Sequence, residues 1–295
     1  MNTSTTAYDR SCFDTAYPMR DTFWSPVDSP HQQLSLSTQP ALYSGSLHID
    51  SIDIEAIHSV ALHDGLLSLH RPASGDLLAT ARLDYQRTDL ILVQKAGIAW
   101  YALKLRSSAS QTLLLSRDLA AVRRWHRHLR PFVVSHDYAL LYATAELIGQ
   151  GAFSKVYRAV HLKSKRVFAA KAIDHSMIFG EDMLDRLVRL EIEIMRLLKH
   201  PGIPRLHEVY EQDSQVILVM DYFDGEQFGE INLHDLTRED IAMIAWNLLK
   251  IASHLQQNNI VHRDLKPANL MFKRKGSSNR IQVKLIDFGL SVFQH

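Results

Sequence analysis

From Leu42 onward the chain alternates apolar and polar positions in short runs, the period of a half-buried strand. Val60 and Leu62 alternate, Asp64-Gly65 follows, and Leu67 and Leu69 resume the alternation. Asp-Gly between alternating runs predicts a hairpin closed by a type I′ turn, which needs positive φ at both central residues. Further strands are predicted at 77–83, 90–93, 100–105 and 113–115. A helix follows, with Ser116 as its expected cap, Leu119, Val122, Trp125, His126 and Leu129 on one face, and Pro131 as its stop. After Val134 three strands are predicted at 142–148, 155–161 and 166–173, then a helix over 181–199. Strands at 206–211 and 215–221 come next. A helix over 238–256 has Ile241, Ile244, Ala245, Leu248, Ala252 and Leu255 on one stripe. Residues 1–42 are rich in Ser, Thr, Asp, Gln and Pro with no apolar period and read as a disordered arm. Ser25-Pro26 and Ser29-Pro30 read first as turn punctuation, with proline-directed phosphorylation as the alternative.

Over residues 43–133, several antiparallel strands and one C-terminal amphipathic helix carrying a tryptophan resemble a pleckstrin-homology domain. The resemblance implies a small bent β-barrel whose open end the helix plugs. Phosphoinositide-binding members cluster Lys and Arg at the first hairpin, where they pair with phosphates. Here residues 46–61 contain neither and include Asp50, Asp53 and Glu55. The expected ligand is therefore a protein partner, or the second domain itself, and specific phosphoinositide binding is not expected. Arg123, Arg124, Arg127 and Arg130 read as the solvated face of the closing helix.

Composition narrows the classes. The 33 Lys and Arg against 32 Asp and Glu give a net charge of +1, with no global field for nucleic acid or an anionic membrane. Cys12 is the single cysteine, which excludes an internal disulfide or a cysteine-built zinc site and favours an intracellular, cytoplasmic setting. No apolar run approaches the roughly twenty residues needed to span a bilayer. The first six residues lack the charged and apolar regions of a signal peptide, and position 2 is not the Gly of a myristoylation site.

The chemistry lies in the second half. Ile148-Gly149-Gln150-Gly151-Ala152-Phe153-Ser154-Lys155-Val156 places glycines at a strand–turn–strand, where backbone N–H groups can approach phosphate oxygens. Plain turn chemistry is the competing reading. Lys171, in the apolar run Phe168-Ala169-Ala170-Lys171, is costly unless paired or bound to an anion. The alternative is an edge lysine reaching water. The helix bearing Leu187, Leu190, Ile194 and Leu198 projects Glu191 into its apolar face, with Glu193 on the flank, so Glu191 is the expected partner of Lys171. The string His262-Arg263-Asp264-Leu265-Lys266-Pro267-Ala268-Asn269-Leu270 follows a long helix, and Lys284-Leu285-Ile286-Asp287-Phe288-Gly289 is an apolar strand ending in a carboxylate suited to Mg²⁺.

These five elements, in this order, resemble a eukaryotic protein kinase over residues 138–295. Lys266 resembles the serine/threonine branch, and Glu191-Ile192-Glu193-Ile194-Met195-Arg196 with residues 199–203 resembles the calcium/calmodulin-dependent group. The resemblance implies an α+β architecture: a five-stranded antiparallel sheet plus one helix, then a mostly helical lobe. It implies that Gly149, Gly151 and Ser154 cover the ATP phosphates. Lys171 would hold the α- and β-phosphates and pair with Glu191, while Ile148, Val156, Ala169 and Leu270 sandwich adenine. Met220 would be the gatekeeper, with Asp221-Tyr222-Phe223 as the hinge. Asp264 would orient a protein substrate's hydroxyl and accept its proton, Lys266 would steady the γ-phosphate, and Asn269 and Asp287 would hold two Mg²⁺ ions.

Ser154 stands where the family more often has glycine. The sequence ends at His295, soon after Asp-Phe-Gly, without the activation loop, Ala-Pro-Glu and later helices of the family. The expectation is a chain that binds ATP and Mg²⁺ and turns over poorly alone, with the stripe from Ile241 to Leu255 left uncovered. Two functions follow: an ATP-dependent serine/threonine kinase, or a noncatalytic nucleotide-binding scaffold.

Overall fold

A computed structural model describes residues 25–26, 40–49, 53–71, 74–83, 86–95, 97–106, 110–174, 181–212, 215–230, 236–275 and 280–294. The chain divides into two compact units, Met1–Asp137 with Glu208–Glu211, and Tyr138–His207 with Gln212–His295. The architecture is mixed α and β, with strands predominating. Apart from Ser25–Pro26 and residues 40–42, the expected arm lies outside the described residues, and so does Ser29-Pro30.

The first unit contains β1 (Ser25–Pro26), β2 (Tyr43–Ile49), β3 (Asp53–Leu62), β4 (Leu66–His70), β5 (Leu77–Arg82), β6 (Arg87–Lys95), β7 (Ile98–Arg106), β8 (Gln111–Ser116), α1 (Leu119–Leu129) and β9 (Val134–Ser135). The strand order is β1-β5-β4-β3-β2-β8-β7-β6-β9. Among the described residues this run of strands does not return on itself, since β9 goes on to pair with Val209 and Tyr210, so the closed barrel expected from the sequence is not formed. One face is covered by α1, which buries Val122, Trp125 and Leu129 against Leu47, Leu62, Leu69, Leu103 and Leu114. The helix supplies by apolar burial the cover that closing hydrogen bonds supply in a barrel.

Two local readings need correction. Only Gly65 of the Asp64-Gly65 turn has positive φ, at 75°, so the turn is not type I′. The cap of α1 is Asp118, not Ser116: its Oδ1 accepts from the Ala120 N–H at 2.8 Å, while the Ser116 hydroxyl accepts from the Asp118 N–H at 3.1 Å. An anionic acceptor is the stronger partner for the positive end of a helix.

The second unit opens with α2 (Tyr138–Leu141), β10 (Tyr142–Gln150), β11 (Ser154–His161) and β12 (Val167–Asp174). Then come α3 (Glu181–Leu197), β13 (Leu206–Gln212) and β14 (Gln215–Asp221). These five strands run β13-β14-β12-β11-β10, and α3 buries Val188, Ile192, Ile194 and Met195. Beyond β15 (Glu226–Gln227), α4 (Arg238–Gln257) is followed by β16 (Ile260–Val261), β17 (Leu270–Lys275), β18 (Arg280–Leu285) and β19 (Val292–Phe293). Strand β15 pairs with β17, β17 with β18, and β16 with β19. No helix among the described residues is long and apolar enough to cross a membrane.

Helix α4 is seated differently from its sequence stripe. A capping box joins Thr237 and Asp240, and Arg274 on β17 grips Asp240 through both carboxylate oxygens at 2.8 and 2.7 Å. Ile244 then packs with Phe272, Ile281 and Val283 of the β17–β18 hairpin, with Leu248 partly buried beside them. Leu255 is also buried, so Ile244, Leu248 and Leu255 of the expected bare stripe are at least partly covered, while Ile241, Ala245 and Ala252 stay exposed. The exposed large apolar side chains of the helix are Ile241, Trp246 and Leu249, at 54, 60 and 64%. The pair between buried Asp240 and half-exposed Arg274 ties the first turn of the helix to the hairpin, which apolar periodicity alone does not encode.

Trp125 carries the core of the first unit. It is 1% exposed, meets Tyr43 edge-on at 4.8 Å, and lies close over Gly45, where an added Cβ would crowd Nε1 at 3.2 Å. Trp125→Ala is expected to destabilise this unit by about 3–5 kcal/mol. Urea unfolding should resolve this as an earlier transition in the first unit alone.

Candidate active site

Strand register gathers the predicted residues of the five-stranded sheet. Lys171 lies opposite Val156 on one side and Leu218 on the other, and Ala169 lies opposite Met220. Opposed residues share a sheet face, as do residues two apart on one strand. Val156, Ala169, Lys171 and Met220 therefore line one surface. Ala169 and Met220 are buried, Val156 and Leu270 are half-buried, and Ile148 is exposed.

Lys171 is the centre. Its Nζ donates to Glu191 Oε1 at 2.6 Å and to Asp287 Oδ1 at 2.9 Å. Lys171 is 7% exposed and Glu191 4%. Burial alone would lower the Lys171 pKa, but the two carboxylates outweigh it and hold the ammonium above its ordinary value. Burial likewise opposes ionisation of Asp287, and the Lys171 charge with hydrogen bonds from Lys171 and the Gly289 N–H brings it below the usual carboxylate range. A Cβ on Gly289 would meet Asp287, Glu191 and Lys171 at 3.4–3.6 Å, so this glycine rests directly on the triad. Glu193 is exposed on the flank of α3, as its phase required.

Asp264, Lys266 and Asn269 form the second cluster. Lys266 Nζ lies 2.8 Å from Asp264 Oδ2, and Asn269 Nδ2 donates to Asp264 Oδ2 at 2.9 Å and to its backbone carbonyl at 2.8 Å. The Lys266 and Asn269 bonds lower the Asp264 pKa. The cluster is tied to the first by the Ile286 N–H, which donates to the Asn269 carbonyl at 3.0 Å, one residue before Asp287. Arg263, with φ at 65°, donates from Nε to the Leu290 carbonyl at 2.6 Å.

The glycine turn behaves differently from an ordinary tight turn. Neither Gly149 nor Gly151 has positive φ, and an added Cβ on Gly149 would make only ordinary contact with Val156 at 3.6 Å. The chain's own conformation does not demand glycine at 149. Among the described residues no three His, Cys, Asp or Glu are placed to hold a metal. The donors present, one Asp and one Asn beside an ammonium, suit Mg²⁺ carried on polyphosphate oxygens rather than an all-protein cage.

The model of the protein kinase domain matches residues 142–295, just over half the chain. The chain belongs to the protein kinase family. Human serine/threonine-protein kinase DCLK3 is 37% identical over 169 residues, covering 56% of this chain and 25% of the relative. CBL-interacting serine/threonine-protein kinase 15 of Arabidopsis thaliana is 39% identical over 154 residues, covering 52% and 35%. The SNF1-like protein kinase ssp2 of Schizosaccharomyces pombe is 32% identical over 173 residues, covering 58% and 29%. The chain thus spans between a quarter and about a third of each of these relatives.

The kinase motifs located every cluster above but missed some of their supports. Gly202 was noted only as part of the 199–203 stretch and given no structural role: its added Cβ would fall 2.6 Å from Ile251 Cγ1, and its carbonyl accepts from the Leu285 N–H at 2.9 Å. Gln227 was missed altogether, and it donates to the Ala268 carbonyl at 2.5 Å. No local pattern marks a glycine or a polar side chain that meets a distant part of the chain.

One buried and one partly buried histidine set a pH dependence. His262 is held neutral chiefly by burial, and accepts at Nδ1 from the Asp264 N–H at 3.3 Å. His200 is likewise lowered by burial, then by the positive field of His254, Lys250 and Lys284, and accepts from the Gly202 N–H at 3.0 Å. Both folded-state pKa values lie below the ordinary value near 6.5, so the unfolded chain binds protons first as pH falls. Stability present above about pH 6.5 is lost as pH drops through the folded values. Thermal melting between pH 7.5 and 5.5 should show a falling midpoint for the second unit, with a shallower fall in His262→Asn.

Proposed function

We propose that this chain is an ATP-dependent protein serine/threonine kinase domain, transferring the γ-phosphoryl group of ATP to Ser or Thr hydroxyls of proteins. The observation that carries this reading is the convergence on Lys171 of Glu191 from α3 and Asp287 from the strand end after β18. One ammonium against two carboxylates leaves the triad one charge negative, ready for a divalent cation brought with a polyphosphate. In this reading Asp287 and the Asn269 Oδ1 are the metal ligands, and Lys171 moves its charge onto the α- and β-phosphates. Gly149, Gly151 and Ser154 let the turn backbone approach the phosphates, with the Gly151 N–H already donating to the Ser154 carbonyl at 2.8 Å, and Val156, Ala169, Met220 and Leu270 make the apolar adenine slot.

Bound Mg·ATP supplies the electrophilic phosphorus and the neutralising metal charge. The chain supplies position. Both side-chain bonds to Asp264 fall on Oδ2, so Oδ1 carries neither and is the oxygen assigned to the substrate hydroxyl. Asp264 is ionised at neutral pH, orients that hydroxyl and takes its proton as the new O–P bond forms. Lys266, beside it, neutralises the transferred group. The relatives' printed names support the serine/threonine assignment, and the stretches 191–196 and 199–203 support a place near the calcium/calmodulin-dependent group.

For the first unit, the strand order with α1 across one face supports a pleckstrin-homology-like module with an open sheet. Arg124 pairs with Asp118 and Arg130 with Asp137, so half of the helix's basic run is already engaged. That favours a protein ligand over a phosphoinositide. The single cysteine and the kinase assignment support an intracellular setting.

The test is phosphate transfer from Mg·ATP to a generic serine/threonine peptide. Asp264→Asn is expected to lower transfer by about a hundredfold or more while keeping Mg·ATP-dependent thermal stabilisation. Stabilisation without any transfer by the unaltered chain would select the binding-only scaffold. No stabilisation at all would remove the nucleotide site.

A further inference from the structure

The segment just after Asp221-Tyr222-Phe223 carries no motif, yet three successive residues fit it to β17, and the last of them reaches the catalytic loop. Gly225 admits no side chain, since an added Cβ would lie 2.6 Å from the Phe272 carbonyl oxygen and against the Phe223 ring. Glu226 and Gln227 pair with Phe272 and Met271 in the β15–β17 ladder. Gln227 then turns its side-chain amide onto the loop itself, donating to the Ala268 carbonyl at 2.5 Å.

Ala268 directly precedes Asn269, and the two lie in a single 3-10 turn, Pro267–Asn269. The Asn269 amide holds Asp264 at 2.8 and 2.9 Å, and the Asn269 N–H donates to the Lys266 carbonyl at 3.0 Å. The Asn269 carbonyl is fixed by the Ile286 N–H at 3.0 Å. This turn is therefore secured by the segment just after β18 that leads into Asp287, and a second time by the Gln227 amide from β15. Water would satisfy an exposed carbonyl equally well, so the bond contributes geometry more than energy.

We propose that Gln227 is a positioning residue for phosphoryl transfer, holding the Asp264–Lys266–Asn269 cluster in register through the Ala268 carbonyl. The proposal rests on the kinase reading above. Gln227 touches no reacting atom in this role. It acts on the orientation of Asp264 through Asn269, where small displacements are costly to rate.

The full chain is assayed with Mg·ATP and a serine/threonine peptide as Gln227→Leu, Gln227→Glu and Gln227→Lys. Leu and Glu remove the donor and are expected to lower kcat about three- to tenfold, the worth of one net hydrogen bond, with KM for ATP unchanged. Lys restores a donor and is expected to recover most of kcat. The melting midpoint should stay put in all three. Amide hydrogen exchange over residues 265–270, without nucleotide, should quicken in Gln227→Leu. A raised KM for ATP with kcat unchanged would overturn the proposal and make Gln227 a nucleotide contact. Unchanged kinetics and exchange would overturn it as well. Absence of transfer by the unaltered chain would defeat the kinase reading, and the exchange result would then decide the tether by itself.

Discussion

A lysine buried to 7% exposure between two carboxylates is the constraint on which the second unit turns. Lys171 belongs to the middle of a five-stranded sheet, Glu191 to the buried face of a helix, and Asp287 to the end of a hairpin more than a hundred residues away in sequence. Removing Lys171 would leave buried Glu191 beside a second carboxylate with no cation between them, which is why such clusters are expensive to break. Burial pulls the Lys171 proton off and the carboxylates push it back, and the carboxylates prevail. The result is a charge held in place before any ligand arrives. Preorganisation of this kind is what phosphoryl transfer asks of a protein, since the nucleotide and metal carry the rest.

The triad was partly legible in the sequence, and the reason is geometric. Lys171 in an apolar strand and Glu191 on an apolar helical face each advertise an unpaired charge, and matching them needs only the periods of strand and helix. The Asp264 and Asn269 offsets were legible because a loop after a long helix fixes both within six residues. The link from Asp287 to Lys171 was not read from the sequence, because no local period spans such a separation and the family resemblance gave Asp287 a place on the metal only. The roles of Gln227 and Gly202 were not legible at all: each acts on a backbone atom far along the chain, through the Ala268 carbonyl and the Leu285 amide respectively.

The departures share a physical theme, in which a charged or polar contact overrides an apolar pattern. Asp118 displaces Ser116 as the cap of α1 because a carboxylate answers the helix terminus better than a hydroxyl. The Asp240–Arg274 pair ties α4 to the β17–β18 hairpin, where Ile244 is buried, and Ile241 is left exposed despite its place on the sequence stripe. In the first unit, apolar burial by Val122, Trp125 and Leu129 covers a sheet that was expected to close on itself. Alternating hydrophobicity located its strands well, but the edges of a sheet depend on which backbone groups find partners, and side-chain pattern is silent on that.

The central claim is that Lys171, Glu191 and Asp287 act as one unit in presenting charge to a nucleotide. Calorimetric titration of Mg·ATP into the unaltered chain, Lys171→Met, Glu191→Gln and the double variant measures this directly. Each single substitution is predicted to weaken binding by about tenfold or more, roughly the loss of one charge-assisted contact. The double variant is predicted to bind no more weakly than Lys171→Met alone, because Glu191 works through Lys171. Affinities unchanged by either substitution, or losses that simply add in the double variant, would contradict the account.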